Sequence, residues 1–145
     1  MSADPVLPAI DDENRPFWEG TLAGELRMQR CSESGRLIFP PRTLSPWSPH
    51  TPPTWSTLSG RGQIWSFAVP HPPLLPQFAE VAPYNVVIVA LEEDPTIRLV
   101  GNLVASEGGA INEVDPSTIE IGAEVRAVFD RVSDEIALPR WILSD

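Results

Sequence analysis

Residues 30–49 read RCSESGRLIFPPRTLSPWSP, which puts Cys31 and Ser34 three positions apart and repeats that spacing with Ser45 and Ser48. The spacing is that of the chelating knuckle of a zinc ribbon, in which two thiolate pairs hold a tetrahedral ion. Gly35 and Pro46 fall where knuckles commonly place such residues. Cys31 is the only cysteine of the chain, and neutral hydroxyls are poor zinc ligands. The segment therefore reads as a zinc ribbon that has lost its zinc, and no bound metal is expected. A lone thiol also excludes an intramolecular disulfide and suits a reducing compartment.

Other residue types that carry chemistry are sparse. The chain has no lysine, which excludes Schiff-base catalysis by its own side chains. His50 and His71 are the only imidazoles, both in proline-rich stretches and neither beside a nucleophile. Glu92, Glu93 and Asp94 precede Pro95 and read as a solvated hairpin tip. The glycines of Ser59-Gly-Arg-Gly62 mark a turn rather than a phosphate loop, and no catalytic residue is expected. The apolar run PHPPLLPQFAEVAP, residues 70–83, is different. Its prolines preorganise Leu74, Leu75 and Phe78 for contact with a partner or an acyl chain, since a stiff loop loses little entropy on binding. The alternative is that the loop packs over its own domain. His71 reads either as a loop residue bonded to backbone or as a ligand contact. Arg140 and Trp141 are expected to pin this loop rather than to meet a phosphate.

These residues need a scaffold. A chain of 145 residues with 42% hydrophobic content supports one core, and 17 prolines argue for short strands joined by stiff loops. The apolar pattern predicts a helix over 11–23, capped by Asp11 or Asp12, with Phe17, Trp18 and Leu22 as its apolar stripe. Phe17 and Trp18 either cover the domain's own core or dock on another subunit. Strands are expected at 25–30 and 37–39, followed by a loop over 40–53 held by proline stiffness and burial of Trp47 and Trp55. Alternation and apolar runs then predict five strands, at 62–69, 84–91, 97–104, 118–130 (in two parts) and 136–143, enough for a small β-barrel. The organisation expected is a tail and helix over 1–24, a degenerate ribbon over 25–56 and a barrel over 57–145. Net charge is −10 and all ten basic residues are scattered arginines, which disfavours nucleic-acid binding. No apolar run approaches membrane-spanning length and the first residues lack a secretory pattern, so a cytoplasmic location is expected.

Several motifs together resemble a known family. RPFWEG (15–20), GELRMQRC (24–31) and LIFPPR (37–42) are followed by SGRGQIWSFAVPHPP (59–73), APYNVVIVALEEDP (82–95) and LPRW (138–141). In order and spacing they are similar to the family catalogued as domain of unknown function 35, which joins a rubredoxin-like zinc ribbon to an OB-fold. The resemblance implies a mainly β chain: a five-stranded OB-fold barrel preceded by a short helix and a degenerate ribbon. It further implies an accessory subunit beside thiolase-fold enzymes that act on acyl-CoA thioesters. PYNVVIVALEEDPTIRLVGNLV (83–104) and SDEIALPRW (133–141) look similar to partners of lipid-transfer-protein-like thiolases, some of which are retro-aldolases of steroid side chains. On that resemblance the chain is non-catalytic, forms a hetero-oligomer with the thiolase-like subunit and helps cover its substrate channel. The CoA thioester is then the substrate of the complex and no cofactor is held by this chain. Phe17, Trp18, His71, Leu74, Leu75, Phe78 and Arg140 are the expected contact residues. The rival reading is a free-standing acyl-CoA or lipid carrier.

Overall fold

The structure is a computed structural model that describes residues 5–144. Its helix α1 spans Arg15–Leu22, with Pro16 in the first turn, where a missing N–H breaks no helical bond. The helix is shorter than the expected 11–23. Asp11 and Asn14 bond each other reciprocally, each backbone N–H donating 2.8 Å to the other's side-chain oxygen, and this closes a separate turn ahead of the helix. Leu22 is not part of a buried stripe: it is 40% exposed, and Gly20 and Thr21 are buried in its place.

Two antiparallel sheets follow. The first has the order β2-β1-β3, from β1 (Arg27–Arg30), β2 (Leu37–Ile38) and β3 (Thr54–Thr57). β3 was not expected, because the proline-rich 40–53 loop runs up to its first residue, and Trp55, expected as a buried anchor of that loop, is a half-buried strand residue instead. It forms because Arg27–Arg30 offers it a full ladder, Arg27 opposite Thr57 and Arg30 opposite Thr54. The second sheet has the order β6-β5-β4-β7-β8. Its strands are β4 (Arg61–Ala68), β5 (Val86–Leu91), β6 (Arg98–Gly101), β7 (Glu124–Arg131) and β8 (Ala137–Leu143). Five strands stand in the regions the alternation predicts, but β6 covers only part of 97–104, and 118–122, expected as the first part of the fourth strand, holds the end of a 3-10 turn and a further turn before β7.

Side-chain period explains which face is inside. On β5, Val87, Val89 and Leu91 are buried and the residues between them are half-exposed. One hydrophobic core runs across both sheets, joining Leu26 and Met28 to Ile64, Val87, Val89, Val125 and Trp141. The larger sheet curls around it. A register shift between Ile64 and Ser66 bends β4. Gly62 lets β5 approach, since a Cβ there would lie 2.5 Å from the Ala90 carbonyl oxygen. The result is a half-barrel. Its two edges meet at one parallel bridge between Leu103 and Trp141. There the Trp141 N–H donates to Asn102 O at 3.0 Å and the Val104 N–H donates to Trp141 O at 2.8 Å. Buried Asn85 pins the same place from inside: its Nδ2 donates to Leu103 O at 2.9 Å and its Oδ1 accepts the Leu103 N–H at 2.7 Å.

The 40–53 loop is held differently from the expectation. Trp47 is 44% exposed and lies beneath Arg36, whose guanidinium carbon sits 4.3 Å from the ring centroid. Burial of Trp47 therefore does not anchor the loop. Buried Gln29 does, with Nε2 donating to Arg42 O at 2.9 Å and Oε1 accepting the Arg42 N–H at 2.7 Å. Among the described residues, no helix is long and apolar enough to cross a membrane.

Candidate contact site and the Cys31 knuckle

The turn after β1 carries Cys31, which is fully buried. Its backbone closes the knuckle: the Gly35 N–H donates to Cys31 O and the Cys31 N–H donates to Arg36 O, each at 2.8 Å. Ser34 donates from its N–H to the Cys31 sulfur at 3.5 Å. Hydrogen bonds from the Ser34 and Ser45 hydroxyls, and from the Ser34 amide, hold the thiol at about 7, below its ordinary value. Ser48 turns elsewhere. Its hydroxyl bonds the Glu33 carboxylate, which with Thr51 keeps that carboxyl below the usual range. Ser45 and Ser48 are both buried, as ligand positions of a ribbon would be. The structure thus brings Cys31, Ser34 and Ser45 together and links Ser48 to them through Glu33. One thiol and three hydroxyls do not make a zinc donor set, and no group of three metal-ligating side chains occurs among the described residues.

The 70–83 loop is half committed to its own domain. Pro76–Ala79 forms a short helix, α2, which the proline content hides from sequence reading. Leu75 is 58% exposed, whereas Leu74 and Phe78 are half-buried. Phe78 packs on Tyr84 with ring centroids 5.7 Å apart. His71 is exposed and makes no hydrogen bond among the described residues, so the backbone-bonded alternative does not hold there.

Arg140 does not pin that loop. Its Nη1 donates to Asn102 Oδ1 at 2.5 Å and its Nη2 lies 3.6 Å from Asp130, so it ties β8 to β7 and to the end of β6. Burial pulls the guanidinium pKa below its ordinary value, and the Asp130 charge opposes that shift. Asn102 in turn donates from Nδ2 to Asn85 O at 2.6 Å. Sequence reading missed both asparagines. The signal available was a polar residue set in the apolar runs of β5 and the β6 end.

A cavity of about 890 Å³ opens beside this network. It collects Phe17, Trp18, Phe78 and Arg140 from three separate expected contact regions, whereas His71, Leu74 and Leu75 lie outside its lining. Phe17 and Trp18 pack edge to face at 4.9 Å. A further surface was not anticipated: Trp65 on β4 is 49% exposed and carries the Arg98 guanidinium 3.7 Å from its ring centroid. Val100, opposite Ile88 in the ladder, is 69% exposed on the same outer face.

A curled five-stranded antiparallel sheet, with a parallel bridge where its edges meet and a helix beside it, defines a mainly β domain of OB type. Residues 55–130 match the family described as ChsH2, C-terminal OB-fold domain, and the chain belongs to that family. The chain is 36% identical over 107 residues to a DUF35 domain-containing scaffold protein of Methanothermobacter thermautotrophicus, covering 73% of this chain and 72% of that protein. It is 32% identical over 138 residues to the 3-oxo-4,17-pregnadiene-20-carboxyl-CoA hydratase alpha subunit of Mycobacterium tuberculosis. That match covers 95% of this chain, which spans only 38% of the relative's length. Among solved structures, the Ltp2-ChsH2(DUF35) aldolase contains a chain similar to this one, with a TM-score of 0.79 at 31% identity, covering 94% of this chain and 98% of that one.

Proposed function

We propose that this chain is a non-catalytic accessory subunit of a thiolase-fold enzyme acting on acyl-CoA thioesters, with retro-aldol cleavage of a steroid side chain as the reaction. The observation that supports this most is the likeness to the Ltp2-ChsH2(DUF35) aldolase across nearly the whole of both chains. The chemistry of the described residues agrees. The one thiol is buried within hydroxyl contacts, and both histidines are exposed in loops. In this reading the partner supplies the reacting groups and binds the CoA thioester. This chain orders the partner and covers its substrate channel, using Leu75 and its proline-rich loop as a preformed contact.

The three-stranded sheet is, in the same reading, a zinc ribbon whose metal has been replaced by the Cys31–Ser34–Ser45 bonds, the Ser48–Glu33 bond and the Gln29 clamp. The test is to measure native mass and acyl-CoA cleavage for this chain alone, for a thiolase-like protein encoded beside it, and for the two co-expressed. A stable hetero-complex that cleaves only when both chains are present is the expected result. A monomer that ignores the partner, or cleavage by either chain alone at the rate of the mixture, overturns the reading.

A further inference from the structure

The large sheet leaves one stretch of backbone unpaired. β6 pairs with β5 alone, and its other edge enters no ladder. The Leu91 N–H donates to Ile97 O, and bonded residues alternate along an antiparallel pair, so Leu99 and Gly101 are the residues that bond β5. Arg98 and Val100 therefore turn their N–H and C=O groups to the free side, and both residues are exposed. Asn102, next in the alternation, shows the same direction, because its carbonyl accepts the Trp141 N–H across the seam. On β8 the Ser144 N–H donates to Glu124 O, and the alternation from there turns Pro139 toward β6. The next bond of the seam would run from position 139 to Val100 O, and proline has no N–H to give. The wall thus does not zip itself closed over Arg98 and Val100, and no other backbone bond engages them among the described residues.

We infer that the β6 edge holds an extended segment of the partner subunit, added to the sheet as a further strand. The inference rests on the accessory-subunit reading and says where that partner is gripped. Donors and acceptors that alternate along a strand are answered by the main chain of another strand. A helix satisfies its own backbone groups, and a lipid tail has none to offer. Arg98, Leu99, Val100, Gly101 and Asn102 also line the cavity, so an inward side chain of the added strand meets the apolar walls of Phe39 and Leu138. On the outer face the added strand lies beside Val100, 69% exposed, and beside Arg98. The Arg98 guanidinium stacks on Trp65 and forms no ion pair among the described residues, so the segment is expected to carry a carboxylate there. A second copy of this chain fits less well. Pairing β6 with itself about Leu99 sets Arg98 diagonal to its own copy, between two chains that each carry −10.

The experiment measures amide hydrogen exchange, read residue by residue by NMR after quenching, in the full chain alone and in its complex with the co-expressed thiolase-like protein. In the chain alone, the Arg98 and Val100 amides should exchange freely while those of Leu99 and Gly101 are protected. In the complex, Arg98 and Val100 should slow by about tenfold or more. Val100→Pro removes only an outward N–H, as edge prolines do, and Leu99 before it is already in a strand. It should weaken the complex about tenfold, as loss of one hydrogen bond does, with the melting temperature of the chain alone nearly unchanged. Arg98→Glu should weaken the complex at least as much. A wild-type chain that forms no complex overturns the accessory-subunit reading, and this inference falls with it. A complex in which Arg98 and Val100 still exchange freely, or which both variants form with undiminished affinity, overturns this inference and leaves that reading standing. So does protection of the two amides in the chain alone, whether as a monomer or, by native mass, as a dimer that gives the edge to a second copy.

Discussion

At the scale of single residues, Cys31 is the clearest test of how the knuckle is held. Its thiol sits at about 7 rather than at the ordinary 9.0 because serine hydroxyls and an amide stabilise the thiolate. The folded state therefore favours the thiolate more than the unfolded chain does. The stability this contributes is complete above about pH 9 and is lost as pH falls through about 7. Thiolate absorbance at 240 nm should rise with a midpoint near 7 in the native chain and nearer the ordinary value in denaturant. Ser34→Ala and Ser45→Ala should each move the native midpoint upward, and Cys31→Ser should remove the transition. A native midpoint at or above the denatured one would show that burial, not hydrogen bonding, governs this thiol. The spacing of these four residues was legible in sequence because a knuckle is local. The partners of Arg140 were not, since Asn102 lies 38 residues away and meets it only when the sheet curls.

Elements set the cost of backbone changes. Gly62 and Gly35 are both glycines for which alanine is costly, but for unlike reasons. A Cβ at Gly62 would sit 2.5 Å from Ala90 O and 2.6 Å from Val89 Cγ1, so the β4–β5 ladder itself must part. Gly62→Ala should destabilise by about 2 kcal/mol, the cost of overpacking a fitted core. Gly35 has φ +74 with no atom within 4 Å of the added methyl, so only backbone preference opposes the change. Gly35→Ala should cost about 1 kcal/mol. Urea unfolding of both variants checks the order. Equal losses would mean that β5 gives way freely at Gly62. The five strands of the large sheet were legible because Val125, Val87 and Val89 alternate or cluster as buried strands do. β3 and α2 were not, because prolines next to each suppress the local signal while tertiary pairing and packing supply what the sequence window lacks.

For the molecule as a whole, the two side chains that sequence places together in one contact loop separate into different roles. Leu75 projects, 58% exposed, while Phe78 is packed on Tyr84. Under the accessory-subunit proposal, Leu75→Ser should weaken partner binding about tenfold or more with the melting temperature of the isolated chain unchanged. Phe78→Ser should lower that melting temperature, losing about 2 kcal/mol or more of buried aromatic packing. Partner titration and thermal unfolding of both variants separate the effects; a Leu75→Ser chain that binds normally removes this loop from the interface.

The seam between Asn102–Val104 and Trp141 gives the half-barrel a property that a fully laddered cylinder lacks. Four antiparallel strand pairings hold the wall, that of β4 with β7 over only Arg61–Gln63, but its circumference is fastened by two backbone bonds and one arginine. The perimeter can lengthen there without any strand losing its neighbour. Asn102, Arg140 and Trp141 form this fastening and also border the cavity, so the weakest-laddered line of the girth and the mouth of the cavity are one place.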